Sequence, residues 1–368
     1  MTIMISGYGI AGLSAALAVA NANYDVILCG NTPPAEPVGG IQLAPNGWQA
    51  LGQLGLFDVA MRRATRLSHI IVRDLASSAT LTRLPLRDHY ASISRANLLR
   101  LLQDAVSAHA AIELTSKPIN QAVTKKDFVE LLCDDGSIIR AKALIAADGV
   151  NGFGRQFVTG TVRGDHHHTG RVAMRTEIDA ADLPAAFSQS ISNLWLGQGA
   201  HLVHYPMAES DRINFALTLS AEHSIGNWRE QIFRDNSMLE QLANNRFKWT
   251  KTPLLRAGSP LCWRRGRVVL AGDAAHVMPP HLAQGAGQAL QDAASLQHAL
   301  IQNASVNDAL AMYARNRAKA VSTVARKADI SGKVMAFGGF KGRLRNVMIS
   351  LAGHDFLENW LADVWAGD

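Results

Sequence analysis

The chain has 368 residues, 48% of them hydrophobic, and a formal net charge of +6. That length and apolar content bury a sizeable core in one or two domains and exclude an intrinsically disordered chain. Three scattered cysteines, Cys29, Cys133 and Cys262, form no Cys-x-x-Cys pair, which excludes a disulfide scaffold and a zinc site and fits a reducing, cytoplasmic setting with all three thiols buried.

Residues 3–6 (Ile-Met-Ile-Ser) read as an apolar strand, followed by Gly7-Tyr8-Gly9-Ile10-Ala11-Gly12 and an Ala/Leu-rich helix over residues 13–22. A second strand over 25–29 completes a βαβ opening, so the Gly-x-Gly-x-x-Gly fingerprint stands in the context it requires. Gly7 permits the tight turn, Gly9 lets backbone approach a pyrophosphate, and Gly12 lets helix pack on strand. The amides of Ile10 and Ala11, at the helix start, would face the phosphates. The segment lacks a basic n-region, so it is not read as a signal peptide, and no apolar run is long enough to span a bilayer.

A helix starts near Trp48 and closes at Gly55-Leu56, and another runs from Arg95 to Ala110. Residues 128–133 and 138–140, turning at Asp134-Asp135-Gly136-Ser137, form a hairpin. It leads into a buried strand over 143–147 that ends on Asp148-Gly149. Residues 169–219 change to strand-like segments, and helical character follows over 228–245. Alternation along 200–206 puts His201, Val203 and Tyr205 on one face and Leu202 and His204 on the other, with His204 read as structural.

Near the end, Val268-Val269-Leu270-Ala271-Gly272-Asp273 repeats the strand-to-turn grammar with an acid on the turn. His276 reads as a support for that turn. Pro279-Pro280-His281 and then Gly285-Ala286-Gly287 follow, the latter opening a helix whose free N–H groups can stabilise negative charge on a reduced flavin ring. This favours flavin over nicotinamide as the tightly bound cofactor. His166-His167-His168 reads as a surface loop without metal, and no metal site is expected. The late basic residues, among them Arg317, Lys327 and Arg345, read as a solvated helix face, so no nucleic-acid partner is expected. The stripe Phe356, Leu357, Trp360, Leu361, Val364 and Trp365 reads as packing on the body.

The fold class is therefore α/β: a Rossmann-like FAD-binding domain with an inserted, mostly β substrate domain and a helical C-terminus. The expected division is 1–168 and 263–368 for the cofactor domain and 169–262 for the insertion. Their interface is the natural place for a substrate.

Gly7 to Gly12, the segment Gly39-Gly40-Ile41-Gln42-Leu43-Ala44-Pro45-Asn46, Ser94-Arg95 with Leu98, Asp148-Gly149 with Arg155, residues 201–206, and Gly272-Asp273 through Asp292 together cover nearly the whole chain. In this order they resemble the group A flavoprotein aromatic hydroxylases of the para-hydroxybenzoate hydroxylase fold, near the salicylate and 3-hydroxybenzoate hydroxylase branch. The resemblance implies an FAD reduced by NAD(P)H without a second Rossmann domain. It also implies a C4a-hydroperoxide formed with O2, whose terminal oxygen passes to an activated ring. It places Arg95 at the pyrophosphate or ribose, Asp273 at the ribityl-phosphate region, and Asp148 near the pyrophosphate and the nicotinamide path. His201 falls over the flavin, where it would take the phenol proton, with Tyr205, Phe215, Pro280 and His281 lining the substrate pocket.

One departure is plain. The second strand should end in an acid that grips the adenosine ribose, and Gly30 stands there instead. Glu36 lies nearby at the wrong spacing. FAD binding is expected to be weaker than usual, and Gly30→Glu to tighten it. The expected reaction is hydroxylation of a small aromatic or heteroaromatic acid. The alternatives are a purine, pyridine or quinolone substrate, or a flavin-binding module without turnover. Expected partners are the small aromatic substrate and O2, with no stable membrane insertion and a homodimer left open.

Overall fold

Ile3, Met4 and Ile5 are fully buried, as befits a strand in a parallel sheet covered on both faces. A computed structural model describes residues 2–30, 38–161, 166–207, 210–243, 246–257 and 262–367. The first sheet runs, in spatial order, Arg264–Arg265, Val268–Leu270, Leu144–Ala146, Thr2–Ser6, Asp25–Cys29 and Ile112–Thr115. All neighbours are parallel except the Arg264–Arg265 edge. Helix Ile10–Asn21 packs against Gly285–Gln302 and Arg95–Ala108. Chain segments near both ends thus share one core.

The second sheet has seven strands in the order Thr250–Ala257, His166–Asp179, Arg212–Ser220, His201–Met207, Ser192–Leu196, His69–Asp74 and Thr80–Pro85. Its last two strands come from residues ahead of the expected insertion, so the sheet is assembled from two stretches of chain. Its register fixes which side chains share a face. His201 pairs with Thr218 and Thr218 with Ala173, while His204 pairs with Phe215. One face therefore carries Arg171, Ala173, Arg175, Thr218, Ala216, His201, Val203 and Tyr205. The other carries Val172, Met174, Leu202, His204, Phe215 and Leu217, of which all but His204 are apolar.

His204 sits in that second core, with ring centroids 5.0 Å from Phe187, 5.3 Å from Phe215 and 6.0 Å from Trp195. Neither of its ring nitrogens has a hydrogen-bond partner among the described residues. Burial, with a smaller push from Arg73, drops its pKa from 6.5 to about 3. The folded chain therefore holds it neutral where the unfolded chain protonates it, and stability falls as pH drops below about 6.5. His204→Leu is expected to shrink the stability loss between pH 7 and pH 5 by about 2 kcal/mol. Denaturant unfolding at the two pH values checks this, and an equal loss in both proteins counts against it.

Several expectations change. Phe215 does not line the substrate pocket: it lies on the opposite face of the sheet from His201, stacked on His204. The three histidines are not a loop but open the strand His166–Asp179, paired with Thr250–Ala257. Among the described residues of 228–245, helical character is confined to Trp228–Phe233 and a short turn at Glu240–Ala243. Between them the Asn236 side chain accepts hydrogen bonds from the amides of Met238 and Leu239, a local alternative to the helix ladder. Arg317, Lys327 and Arg345 are buried rather than solvated. Lys327 donates to Asp363 at 2.9 Å and Arg345 to the Met335 carbonyl at 2.7 Å. Cys262 is exposed, unlike Cys29 and Cys133. In the tail, Val364 is buried and Trp365 packs on Tyr90, whereas Phe356 is exposed. Among the described residues no helix is long and apolar enough to cross a membrane.

Candidate active site

Three neighbouring parallel strands, Thr2–Ser6, Leu144–Ala146 and Val268–Leu270, end at their carboxyl edges in Gly7, Asp148-Gly149 and Gly272. That edge is where open α/β sheets bind ligands. Gly7 has φ +114°, and a Cβ there would strike the Ala147 carbonyl, whereas a Cβ on Gly12 would strike Gly7 itself. At Gly9 and Gly285 a Cβ would meet nothing within 4 Å. Backbone is thus approachable at the start of both helices Ile10–Asn21 and Gly285–Gln302, as a pyrophosphate and a flavin ring demand. Gly272, at φ +60°, packs against Ala11, where an added Cβ would sit 2.5 Å from the alanine Cβ. The two distant motifs are in contact, and the exposed Asp273 carboxylate opens the one-turn helix Asp273–His276 beside them. Ile10 is buried, with Ala11 and Ala286 half-buried behind these starts.

A buried polar network holds this edge together. The Asp292 carboxylate accepts from the Gly272 amide at 2.7 Å, His276 Nε2 lies 2.7 Å from the same oxygen, and Arg317 Nε donates to the other oxygen at 2.7 Å. Burial alone would push the Asp292 carboxyl up, but His276, Arg317 and these hydrogen bonds together hold it below its usual range. Arg317 also donates to Gln288 Oε1, Gln288 to Gln284 and Gln291, and Asn46 to Gln284 at 2.9 Å and Gln291 at 2.8 Å. The segments containing Asn46, Gly272 and Gly285 are therefore fixed to one another through side-chain amides. Gln284, Gln288, Gln291 and Arg317 were not singled out in sequence as site residues. The Gln284, Gln288 and Gln291 spacing of four and three was the available signal for a polar helix face turned inward.

Ser94 caps helix Arg95–Ala108 by accepting the Asn97 amide, which leaves the Arg95 side chain exposed at the helix start. Asp148 turns inward and accepts the Gly154 amide at 2.9 Å, with its other oxygen buried and unpartnered. Burial raises its pKa against that hydrogen bond. Arg155 is buried and donates to the Ala274 carbonyl at 2.7 Å, tying the segment after Asp148 to the Asp273 helix.

Gly30 has a steric reason to be glycine. A Cβ there would lie 2.7 Å from the Tyr8 Cβ and 3.0 Å from the Tyr8 amide nitrogen. The expected benefit of Gly30→Glu is thereby reversed: the space is taken by the Cβ and backbone nitrogen of Tyr8 in the fingerprint turn. Gly30→Glu should weaken FAD binding about tenfold, within the cost of overpacking, and Tyr8→Gly in the same chain, which removes that Cβ, should recover part of it. Titration of flavin fluorescence decides, and a single variant that binds as tightly as the natural chain would remove the clash. Glu36 lies outside the described residues.

His201 is 3% exposed, on the sheet face that meets His281. Its ring centroid is 5.2 Å from that of His281, with the rings edge-on. The Nδ1 atoms of both are buried without a partner. Burial, then the charges of His281, Arg171 and Arg345, hold His201 well below pKa 6.5, and burial with Arg171 drops His281 to about 4. Both imidazoles are neutral at pH 7. Tyr205 is buried in the same face against Gly40, and Gly39 and Gly40 donate their amides to Glu177 at 2.6 Å and Asn214 at 2.8 Å. Pro280 is exposed, two residues after Met278 and directly before His281, where the chain turns through Ala283 at φ +53° into the second helix.

The family model for an FAD binding domain matches residues 1–328 of this chain. The chain is a group A flavin hydroxylase. The hydroxylase is 31% identical to 3-hydroxybenzoate 6-hydroxylase 1 of Aquipseudomonas alcaligenes, over 98% of this chain and 96% of the relative. It is 29% identical to 6-hydroxynicotinate 3-monooxygenase of Bordetella bronchiseptica, over 88% and 89% of the two chains. Among solved structures, Klebsiella pneumoniae HpxO complexed with FAD and uric acid superposes with a TM-score of 0.85 at 22% identity, covering 99% of this chain and 96% of that one. The hydroxylase is an FAD-dependent monooxygenase with the α/β fold expected, a cofactor sheet, a second mostly β sheet and a helical end.

Proposed function

We propose that this hydroxylase uses NAD(P)H and O2 to hydroxylate a small, hydroxylated aromatic or heteroaromatic acid. The observation that carries this reading is His201: a neutral, buried imidazole with a free ring nitrogen, on the sheet face that meets His281 ahead of the Gly285 helix. A neutral imidazole can accept a phenol proton, and the resulting phenolate ring is richer in electrons. In this reading Gly7, Gly9, Ile10, Ala11 and Gly12 hold the pyrophosphate of FAD. Arg95, Asp148, Gly272 and Asp273 hold its ribose and ribityl regions, and Gly285, Ala286 and Gly287 its ring. Bound FAD supplies the electron transfer and oxygen activation. Tyr205, Pro280 and His281 complete the substrate pocket, and the buried face around them limits access of water. Residues 1–168 and 263–368 serve the cofactor and 169–262 the substrate, with strands His69–Asp74 and Thr80–Pro85 extending the substrate sheet. The two buried, unpaired thiols support a reducing compartment such as the cytoplasm.

A pyridine-type acid is the second reading, favoured by the likeness to a 6-hydroxynicotinate monooxygenase. Screening hydroxybenzoates and hydroxypyridine carboxylates for stimulated NAD(P)H oxidation, with the product mass measured, separates the two. An FAD-loaded protein whose NAD(P)H oxidation no aromatic compound stimulates would leave only a flavin-binding module.

A further inference from the structure

The last helix, Gly339–Trp365, is broken at Gly353, φ +67°, and the part before the break rests on the body through the buried Gly342 and Arg345. On that side Asn346 donates to Asp74 at 2.9 Å. The outward side is apolar. Phe340, Leu344, Val347, Met348 and Leu351 are 80%, 49%, 54%, 60% and 83% exposed. At 3.6 residues per turn their spacing confines them to an arc of about 100°, with Lys341 at one margin and Arg343 at the other. A helix that lies on a globular body ordinarily turns its polar face to water, and this one does the reverse. Of the fifteen large apolar side chains exposed among the described residues, eight lie between Ile330 and Phe356, which makes a patch rather than scatter. Its charge has one sign. No Asp or Glu occurs from Ile330 to His354, and the exposed charged residues of that stretch, Lys333, Lys341 and Arg343, are all basic.

We propose that residues 340–351 form a docking face for the surface of an anionic lipid bilayer. The charge pattern selects this occupant. A second copy related by two-fold symmetry would set the patch against itself, cation facing cation with no acid to pair. An anionic bilayer meets both halves of the pattern, because the acyl boundary takes the apolar stripe and the headgroups take the flanking cations. Docking is peripheral and reversible, since among the described residues no helix is long and apolar enough to cross a membrane. Phe337 and Lys333, next to the stripe, also line the cavity that His281 borders. The docked lipid surface therefore lies beside that cavity.

The test sediments the FAD-loaded protein with vesicles of phosphatidylcholine alone and of phosphatidylcholine mixed with phosphatidylglycerol. The natural chain should pellet with the mixed vesicles, far less with the neutral ones, and progressively less as salt screens the attraction. Lys341→Gln with Arg343→Gln should weaken binding to the mixed vesicles roughly thirtyfold, about fivefold for each cation. Leu344→Glu with Leu351→Glu should abolish it. All four side chains are exposed, so the flavin spectrum and unfolding midpoint should not change in either variant. The glutamine variant carries the test if the glutamate variant does not fold. Absence of binding to mixed vesicles, equal binding to both kinds, or binding that is unchanged in either variant overturns the proposal. So does a dimer in analytical ultracentrifugation that Leu344→Glu with Leu351→Glu splits into monomers, since the face would then belong to a second copy.

Discussion

Replacing His201 with alanine is expected to leave FAD bound and to cut coupled hydroxylation by roughly 10²–10⁴-fold, the range for loss of a positioned general base. His201 lies on the substrate sheet, on His201–Met207, outside the glycine turns that start the cofactor helices. The flavin spectrum should therefore be unchanged. Its neutral state also sets a pH dependence. Because the folded protein holds His201 well below 6.5, the base stays competent as pH falls through 6.5, where an exposed histidine would already be protonated. Activity per folded, FAD-loaded molecule should thus show no acid-side decline centred near pH 6.5 due to this residue. Product formation must be measured beside NAD(P)H consumption, since uncoupled oxidation can persist without the base. Normal hydroxylation by His201→Ala would assign the proton to another group.

Asp292→Ala is expected to destabilise the protein by about 3–5 kcal/mol, the cost of breaking a buried charge pair. The substitution leaves the fully buried Arg317 without its carboxylate and the Gly272 amide without an acceptor. Gly272 is the residue that packs on Ala11, so FAD affinity should fall together with the unfolding midpoint. Excess FAD should raise the midpoint of the natural chain more than that of the variant, because ligand stabilisation scales with affinity. Differential scanning with and without FAD measures both effects, and an unchanged midpoint would show that the network contributes little.

The opening strand, glycine turn and helix were legible because each obeys a local rule. Apolar runs make buried strands, and Gly12 stands where a Cβ would collide with the Gly7 backbone at the start of the same turn. The same holds for the Gly272-Asp273 turn and for the helix starting at Gly285, and alternation correctly put His201 and Tyr205 on one face and His204 on the other. What the sequence could not fix was which strands share a sheet. Phe215 was assigned to the pocket although its own strand alternates as expected, because its face depends on pairing with His204 some eleven positions earlier in the chain. His69–Asp74 joins the sheet by pairing with Ser192–Leu196, a contact across more than a hundred residues that leaves no periodic trace. Arg317 looked like one more solvated cation until Asp292 on a neighbouring helix was brought within 2.7 Å of it. Gly30 read as a missing acid, and only the fold showed Tyr8 already occupying its space. Local chemistry determined the glycine turns and the face on which His201 stands, since backbone sterics and strand alternation act over a few residues. The charge partners, the paired steric exceptions and the composition of the substrate sheet were decided by tertiary packing, because burial and electrostatics depend on distance in space, which the order of residues does not specify.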